Sequence, residues 1–311
     1  MEALPTRESA VTSSQAAVTS NREAATSRVE TVTHTVEASS HYDPGFWGKA
    51  LYHGLPVRRG VVLSNLRRVF GERRDESQIE ALAKAFYGHM ARTFWECLSL
   101  PWLSRERRRA LVRVENAESP IAAAMENRGV LILTGHLGNW EVAPVLGLGG
   151  FSAYRGRLHI LRRQVHPRWL DQLVTRRFER AGLGVIPKSG SLSRILDLLE
   201  AGDGVVFIMD QHAARKDGVD VEFFGHPART FKSLAMIALA TRAPVVPAHC
   251  WREPDGRHVL RFEDPLPLIE RDDPGEAIRA NTQAYNQALE RMILQHPEQW
   301  FWVHRRWKVS K

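Results

Sequence analysis

The chain has 311 residues, 43% apolar and 25% charged, with 43 Lys and Arg against 35 Asp and Glu for a formal net charge of +8. These values are ordinary for a globular protein and exclude a collagen-like or low-complexity chain; the basic excess favours anionic partners such as acidic head groups, an acidic protein or nucleic acid. The two cysteines, Cys97 and Cys250, lack CxxC spacing, so no disulfide framework can be built, which suits a reducing cytosol.

Residues 1–42 are rich in Ser, Thr, Ala and Glu, with no aromatic before Tyr42. They carry too little apolar surface to offset the entropy of ordering, so a disordered polar tail is expected. Neither a secretory pattern nor a spanning segment is found. The nearest window, residues 233–251, carries Arg242 and two prolines and reads as core. Residues 43–311 are expected to form one α/β domain with a helical lead-in over 43–111. A helix is predicted over 61–70, and a second begins at Ser77. In the second, Ile79, Leu82, Ala83, Phe86, Met90, Thr93 and Phe94 recur at helical spacing as one core-facing side.

After Val112 strands and helices alternate. Strands are expected over 130–134, 157–161, 184–187, 204–210, 243–251 and 258–266. Helices are expected over 119–129, 167–180, 192–201, 233–242 and 281–295. Continuous apolar strands between helices predict a mostly parallel central sheet with helices on both faces. In such a sheet function collects at the carboxyl ends of strands, where His136, Arg162, Asp210 and His249 fall. No internal repeat and no second domain is seen.

The segment GVLILTGHLGNWE, residues 129–141, delivers a histidine and a glutamate to such an end. Three other His–x4–acid pairs occur, His166/Asp171, His212/Asp217 and His258/Glu263. Only His136/Glu141 follows a buried-strand pattern and opens into a helix. A neutral His136 can accept a hydroxyl proton if a partner fixes its tautomer. Glu141 can be that partner if His136 lies in the turn and Glu141 in the first helical turn, with Asn139 as N-cap. Equally, Asn139 can simply cap the helix and Glu141 complement its dipole, leaving His136 a turn residue. No GxSxG elbow exists, and both cysteines read as inert core thiols, which favours direct attack over a ping-pong route. Asp210 and His212 lack further ligands at zinc spacing, and neither a Walker loop nor GxGxxG is present, so no metal or cofactor is expected.

The chain resembles the lipid A biosynthesis acyltransferases, the lauroyl/myristoyl transferase group of the lysophospholipid acyltransferase-like superfamily. GHLGNWE at 135–141 carries the resemblance, with NLRRVFGE at 65–72, Glu96, LRRQVHPRWL at 161–170, MDQ at 209–211, VEFFGHPART at 221–230, APVVP at 243–247 and HPEQWFWVHRRWK at 296–308. It implies transfer of a fatty acyl group from a thioester, on acyl carrier protein or coenzyme A, to a hydroxyl of a glycolipid or phospholipid. The reaction would take place at the cytoplasmic face of the bacterial inner membrane.

His136 would be general base, with Glu141 orienting it. Arg162 and backbone amides around Gly138 are the oxyanion candidates. Asp210 and Gln211 would shape the floor, and Arg229 and Lys232 would hold acceptor phosphates. Trp300, Trp302 and Trp307, with His304, Arg305 and Arg306, are assigned either to a lipid interface or to ordinary packing. Members usually begin with an apolar membrane segment, whereas this chain begins polar, so membrane contact is expected to be peripheral. Other acceptors (a lysophospholipid or aminolipid) and a catalytically silent lipid-binding protein are the alternatives. Nucleic-acid binding lacks any recognition motif.

Overall fold

The computed structural model of the chain describes residues 44–308 except 56, 118–128, 149–154, 165 and 189. The expected tail over 1–42, and the helix over 119–129 apart from its last residue, lie outside these. Three helices lead in: α1 Gly45–Gly54, α2 Arg59–Phe70 and α3 Glu76–Ser99. The start of α3 is a capping box in which Asp75 accepts from the Gln78 backbone and the Gln78 side chain accepts from Asp75 N–H. Glycines let α1 and α3 cross closely: a Cβ on Gly48 would strike the Lys84 carbonyl, and one on Gly88 the Pro44 carbonyl. Ile79, Leu82, Ala83, Phe86 and Thr93 are buried as their spacing predicts, but Phe94 is 66% exposed. It looks outward because the far side of α3 is itself the wall of an apolar groove.

Helix α4 Arg105–Leu111 leads into the sheet. Its strands and intervening helices are β1 Val112–Glu115, β2 Val130–Thr134, α5 Ala143–Leu148, β3 Leu158–Arg162, α6 Arg168–Arg180, β4 Leu183–Pro187, α7 Leu192–Glu200 and β5 Gly204–Ile208. The chain continues through β6 Gly218–Phe223, β7 His226–Phe231, α8 Ser233–Thr241, β8 Val245–Arg252, β9 His258–Phe262 and α9 Pro274–Gln295. The seven-stranded sheet runs β1-β9-β8-β2-β5-β3-β4. Strands β8, β2, β5, β3 and β4 are mutually parallel; β9 pairs antiparallel with β8 and parallel with β1. All eight residues of β8 are buried, so both of its faces are covered, as the apolar run predicts for a parallel core strand.

Three strands escape the sequence reading. Strand β1 is short and half-buried, with no apolar run to announce it. Strands β6 and β7 form a separate antiparallel hairpin over the block VEFFGHPART. Its two-residue turn, Phe224-Gly225, has φ of 52° and 71°, the positive pair of a type I′ turn. The signal was a glycine between two short alternating runs; the non-glycine first turn residue masked it.

Candidate active site

Strand β2 ends at Thr134 beside β5, and the chain beyond each end meets the other. Past β2, His136 Nδ1 lies 2.9 Å from Asp210 Oδ1 beyond β5, and its backbone N–H donates to Asp210 Oδ2 at 2.7 Å. The Trp300 indole N–H donates to the same Oδ2 at 2.9 Å. Asp210 is fully buried and accepts from every neighbour, so it is held as a carboxylate. Burial alone would raise its pKa, but the imidazole charge and these donors hold it well below the usual carboxylate range. Burial pulls His136 the other way; Asp210 outweighs it and raises the imidazole pKa above its ordinary value. With Nδ1 donating to the carboxylate, Nε2 carries the free lone pair.

The Nε2 atom faces Gln211, whose amide nitrogen lies 3.5 Å from it and 3.1 Å from His304 Nε2. Rings surround the imidazole, with Trp140 at 5.2 Å, His304 at 5.4 Å and Phe301 at 5.9 Å between centroids. Burial and the nearby His136 lower the His304 pKa, keeping it neutral. Lys188, just past β4, lies close enough for its charge to be felt at His136 and Asp210, with Nζ 3.6 Å from the Phe231 centroid. Sequence reading passed over it, since a lysine after a short strand carries no local signature.

Glu141 does not hold the imidazole. Asp210, expected only to shape the floor, takes the orienting place, because two adjacent parallel strands bring their ends together whereas the turn carries Glu141 past the ring. Helix α5 starts only at Ala143, so Glu141 lies in the turn before it. Asn139 does cap, its Oδ1 accepting from Val142 N–H at 3.1 Å. Glu141 acts on His136 through charge: burial raises its pKa, and Arg177, Arg162 and His136 partly offset that.

Both oxyanion candidates are engaged elsewhere. Gly138 N–H donates to Gln299 C=O at 3.0 Å. Its φ of 60° and a Cβ position that would strike the Cys250 carbonyl make glycine obligatory there, which is a structural role. Arg162 bonds Thr175 at 2.9 Å and pairs with Asp171 at 2.9 Å, anchoring α6 to the sheet. Arg229 pairs with Asp220 directly across the hairpin. Lys232 sits at the start of α8. The orienting aspartate and the flanking Gln211 are thus the site residues that geometry brings to His136.

A buried polar network underlies the loop. Arg252, past the end of β2 on the longer β8, clamps Glu96 with Nε and Nη2 at 2.8 and 2.7 Å, and its Nη1 donates to His89 Nδ1 at 2.7 Å. His89 Nε2 therefore carries the proton and donates to Gly138 C=O at 3.2 Å. Asn139 donates to Glu96 at 2.7 Å, and His258 lies 3.2 Å from the same carboxylate. Burial would raise the Glu96 pKa, but His258 and Arg252 bring it down to about 2. Burial lifts both thiols, that of Cys250 to about 12; Cys250 is the core cysteine expected, whereas Cys97 is only half-buried.

An apolar groove of about 1120 Å³ opens between α1 and α3, and its lining includes Phe301, the ring that also flanks His136. Leu51, Phe86, Met90, Phe94 and Trp95 line it. Trp300, Trp302 and Trp307 are buried, so packing is their role and the lipid-interface reading fails for them. Most exposed aromatics lie instead on the lead-in helices and the turn after them, Phe46, Trp47, Phe94, Trp95 and Trp102, with Trp169 on α6 the exception among the described residues. Among the described residues no helix is long and apolar enough to cross a membrane, and no group of three or more His, Cys, Asp and Glu is placed to hold a metal ion.

The profile of the bacterial lipid A biosynthesis acyltransferase family matches residues 45–309. A phosphatidylinositol mannoside acyltransferase of Mycobacterium tuberculosis is 27% identical over 211 residues, covering 66% of this chain and 62% of that protein. A lipid A biosynthesis palmitoleoyltransferase of Escherichia coli is 25% identical over 82% of this chain and 80% of its own length. A lipid A biosynthesis lauroyltransferase of the same organism is 25% identical over 84% and 83%.

Proposed function

The chain belongs to the bacterial lipid A biosynthesis acyltransferase family, and from that premise we propose that it moves a fatty acyl group from a thioester to a hydroxyl of a glycolipid. The observation that carries the reading is the Asp210–His136 pair, which leaves Nε2 its lone pair, with Phe301 standing both beside the imidazole and in the lining of the apolar groove. The acyl chain lies in the groove, with its thioester carbonyl at the Phe301 end. Nε2 takes the acceptor's hydroxyl proton as the oxygen attacks that carbonyl. The amide of Gln211 and the ammonium of Lys188 stand nearest to the charge that develops on the carbonyl oxygen. Collapse breaks the carbon–sulfur bond, and the imidazolium returns its proton to the departing thiolate. An ester and a free thiol result, with no metal or prosthetic group required. Acyl carrier protein is the donor that the basic charge of the chain suits.

The acceptor is a sugar-bearing lipid of the kind named for the relatives, either a lipid A precursor or a phosphatidylinositol mannoside. Purified protein incubated with labelled acyl carrier protein or acyl coenzyme A, and with each acceptor, tests this. Transfer is expected to fall by about 10²–10⁴-fold in His136→Ala, the range for loss of a general base. Turnover that survives that change removes the mechanism.

Filling the groove with Leu51→Trp is expected to shift the donor preference to shorter chains. Each methylene that no longer fits costs roughly tenfold or more in relative kcat/KM. A chain-length competition reads it, and an unchanged preference takes the acyl chain out of this groove. The exposed aromatics dock the protein peripherally on the cytoplasmic face of the inner membrane. Flotation with anionic vesicles should carry the protein up and should lose the Trp47→Asp/Trp102→Asp variant; equal flotation of the two refutes that face.

A further inference from the structure

A second cavity, of about 390 Å³, lies between α2 and the carboxyl-terminal segment, apart from the acyl groove. Arg68, Arg305 and Lys308 line it together with Ser64, Asn65 and Trp307, and no carboxylate is among the lining residues. Some basic side chains elsewhere on the surface are matched by acids. Arg67 pairs with Glu76, Arg113 with Glu253, Arg229 with Asp220 and Arg261 with Glu115. Among the described residues no acid is paired with Arg68, Arg305 or Lys308. Three cations converging on one concavity repel one another unless an anion enters.

The pocket is built rather than incidental. The Trp307 ring is fixed by its N–H donating to Phe223 C=O at 3.1 Å, and the Arg68 guanidinium lies 5.8 Å over that ring. Asn65 is buried and donates to the carbonyls of Trp302 and His304, both at 2.8 Å. One short segment therefore presents His304 to the catalytic imidazole and Arg305, the next residue, to the pocket. A ligand held here is held at the far side of the wall that flanks His136.

We propose that this pocket binds a phosphoryl group carried on the headgroup of the acceptor lipid. The inference rests on the glycolipid reading above and adds the acceptor's phosphate to it. A phosphoryl group fits the donor set because its several oxygens can accept from two guanidiniums, an ammonium and the Ser64 hydroxyl at once, as a single carboxylate cannot. The volume exceeds that of phosphate alone and leaves room for part of the polyol next to it.

Calorimetric titration of the full chain with inorganic phosphate and with glycerophosphoinositol, a soluble headgroup, tests it. Both are expected to saturate, the headgroup at least tenfold more tightly. Arg68→Ala/Arg305→Ala should weaken both by tenfold or more. Arg176→Ala/Arg180→Ala on α6 removes the same net charge and should leave both unchanged. Lys308→Ala, an exposed change near the end of the chain, should weaken binding severalfold and serves if the double variant does not fold. Equal affinities for phosphate and headgroup overturn the headgroup assignment, and retention of binding by the Arg68/Arg305 variant overturns the pocket. Binding is read without turnover. Wild-type protein that binds the headgroup but transfers no acyl group refutes the reaction and leaves the pocket. Intact transfer with an acceptor KM unmoved in the pocket variants refutes the pocket and leaves the reaction.

Discussion

Asp210→Asn is expected to lower kcat for acyl transfer by about 10³–10⁴-fold with the protein still folded, the size of effect known when an aspartate that sets a catalytic histidine's tautomer becomes an amide. The buried Oδ2 accepts from both His136 N–H and the Trp300 indole. An asparagine can keep that oxygen in place, and its NH₂ then faces Nδ1. The ring answers by moving its proton to Nε2, the atom that must hold the free lone pair. A second readout separates this from simple damage. In the wild type the carboxylate raises the His136 pKa, so the basic form accumulates only above that raised value. Without the carboxylate the pKa falls, and the acid limb of kcat/KM against pH should move to lower pH. A variant within tenfold of wild-type kcat, with an unmoved limb, would rule out Asp210 as the orienting group.

The second large effect lies under the loop. Arg252→Met is expected to cost about 3 kcal/mol of stability, because it strands the partly buried Glu96 carboxylate rather than removing a pair. Glu96→Gln/Arg252→Met together should recover part of that loss, since both charges are then gone. The pH dependence has a definite sign. Glu96 is held down to about 2 in the folded chain, so its contribution is present above the ordinary carboxylate pKa. It is lost as pH falls from there towards about 2. In Arg252→Met that acid-side loss should shrink. Urea unfolding at neutral and acid pH measures both, and an Arg252→Met change below about 1 kcal/mol would refute the clamp. Activity should fall as well, because Arg252 sets the His89 tautomer that anchors Gly138 beside His136.

The pattern of local chemistry was enough to locate most elements. The apolar runs of β2, β5 and β8 read as strands because a strand covered on both faces needs apolar residues at every position. The helical spacing of apolar residues after Ser77 announces α3, which starts one residue earlier, at Glu76, because Asp75 caps it. GHLGNWE marks the turn, and His136 within it, for the same reason: a strand, a glycine and a helix cap are neighbours in the chain.

Only the tertiary structure decided what His136 touches. Its partner lies 74 residues away, brought in by the pairing of β2 with β5, whereas local spacing suggested Glu141. The Arg252–Glu96 clamp spans 156 residues, and neither residue carries a local mark of burial. The carboxyl-terminal tryptophans looked equally suited to lipid and to core. Their placement beneath the loop, with Trp300 on Asp210 and Trp302 on the Pro297 carbonyl, made them core. Composition and periodicity report forces that act within a few residues; which polar groups share a desolvated site depends on how distant strands and helices close over it.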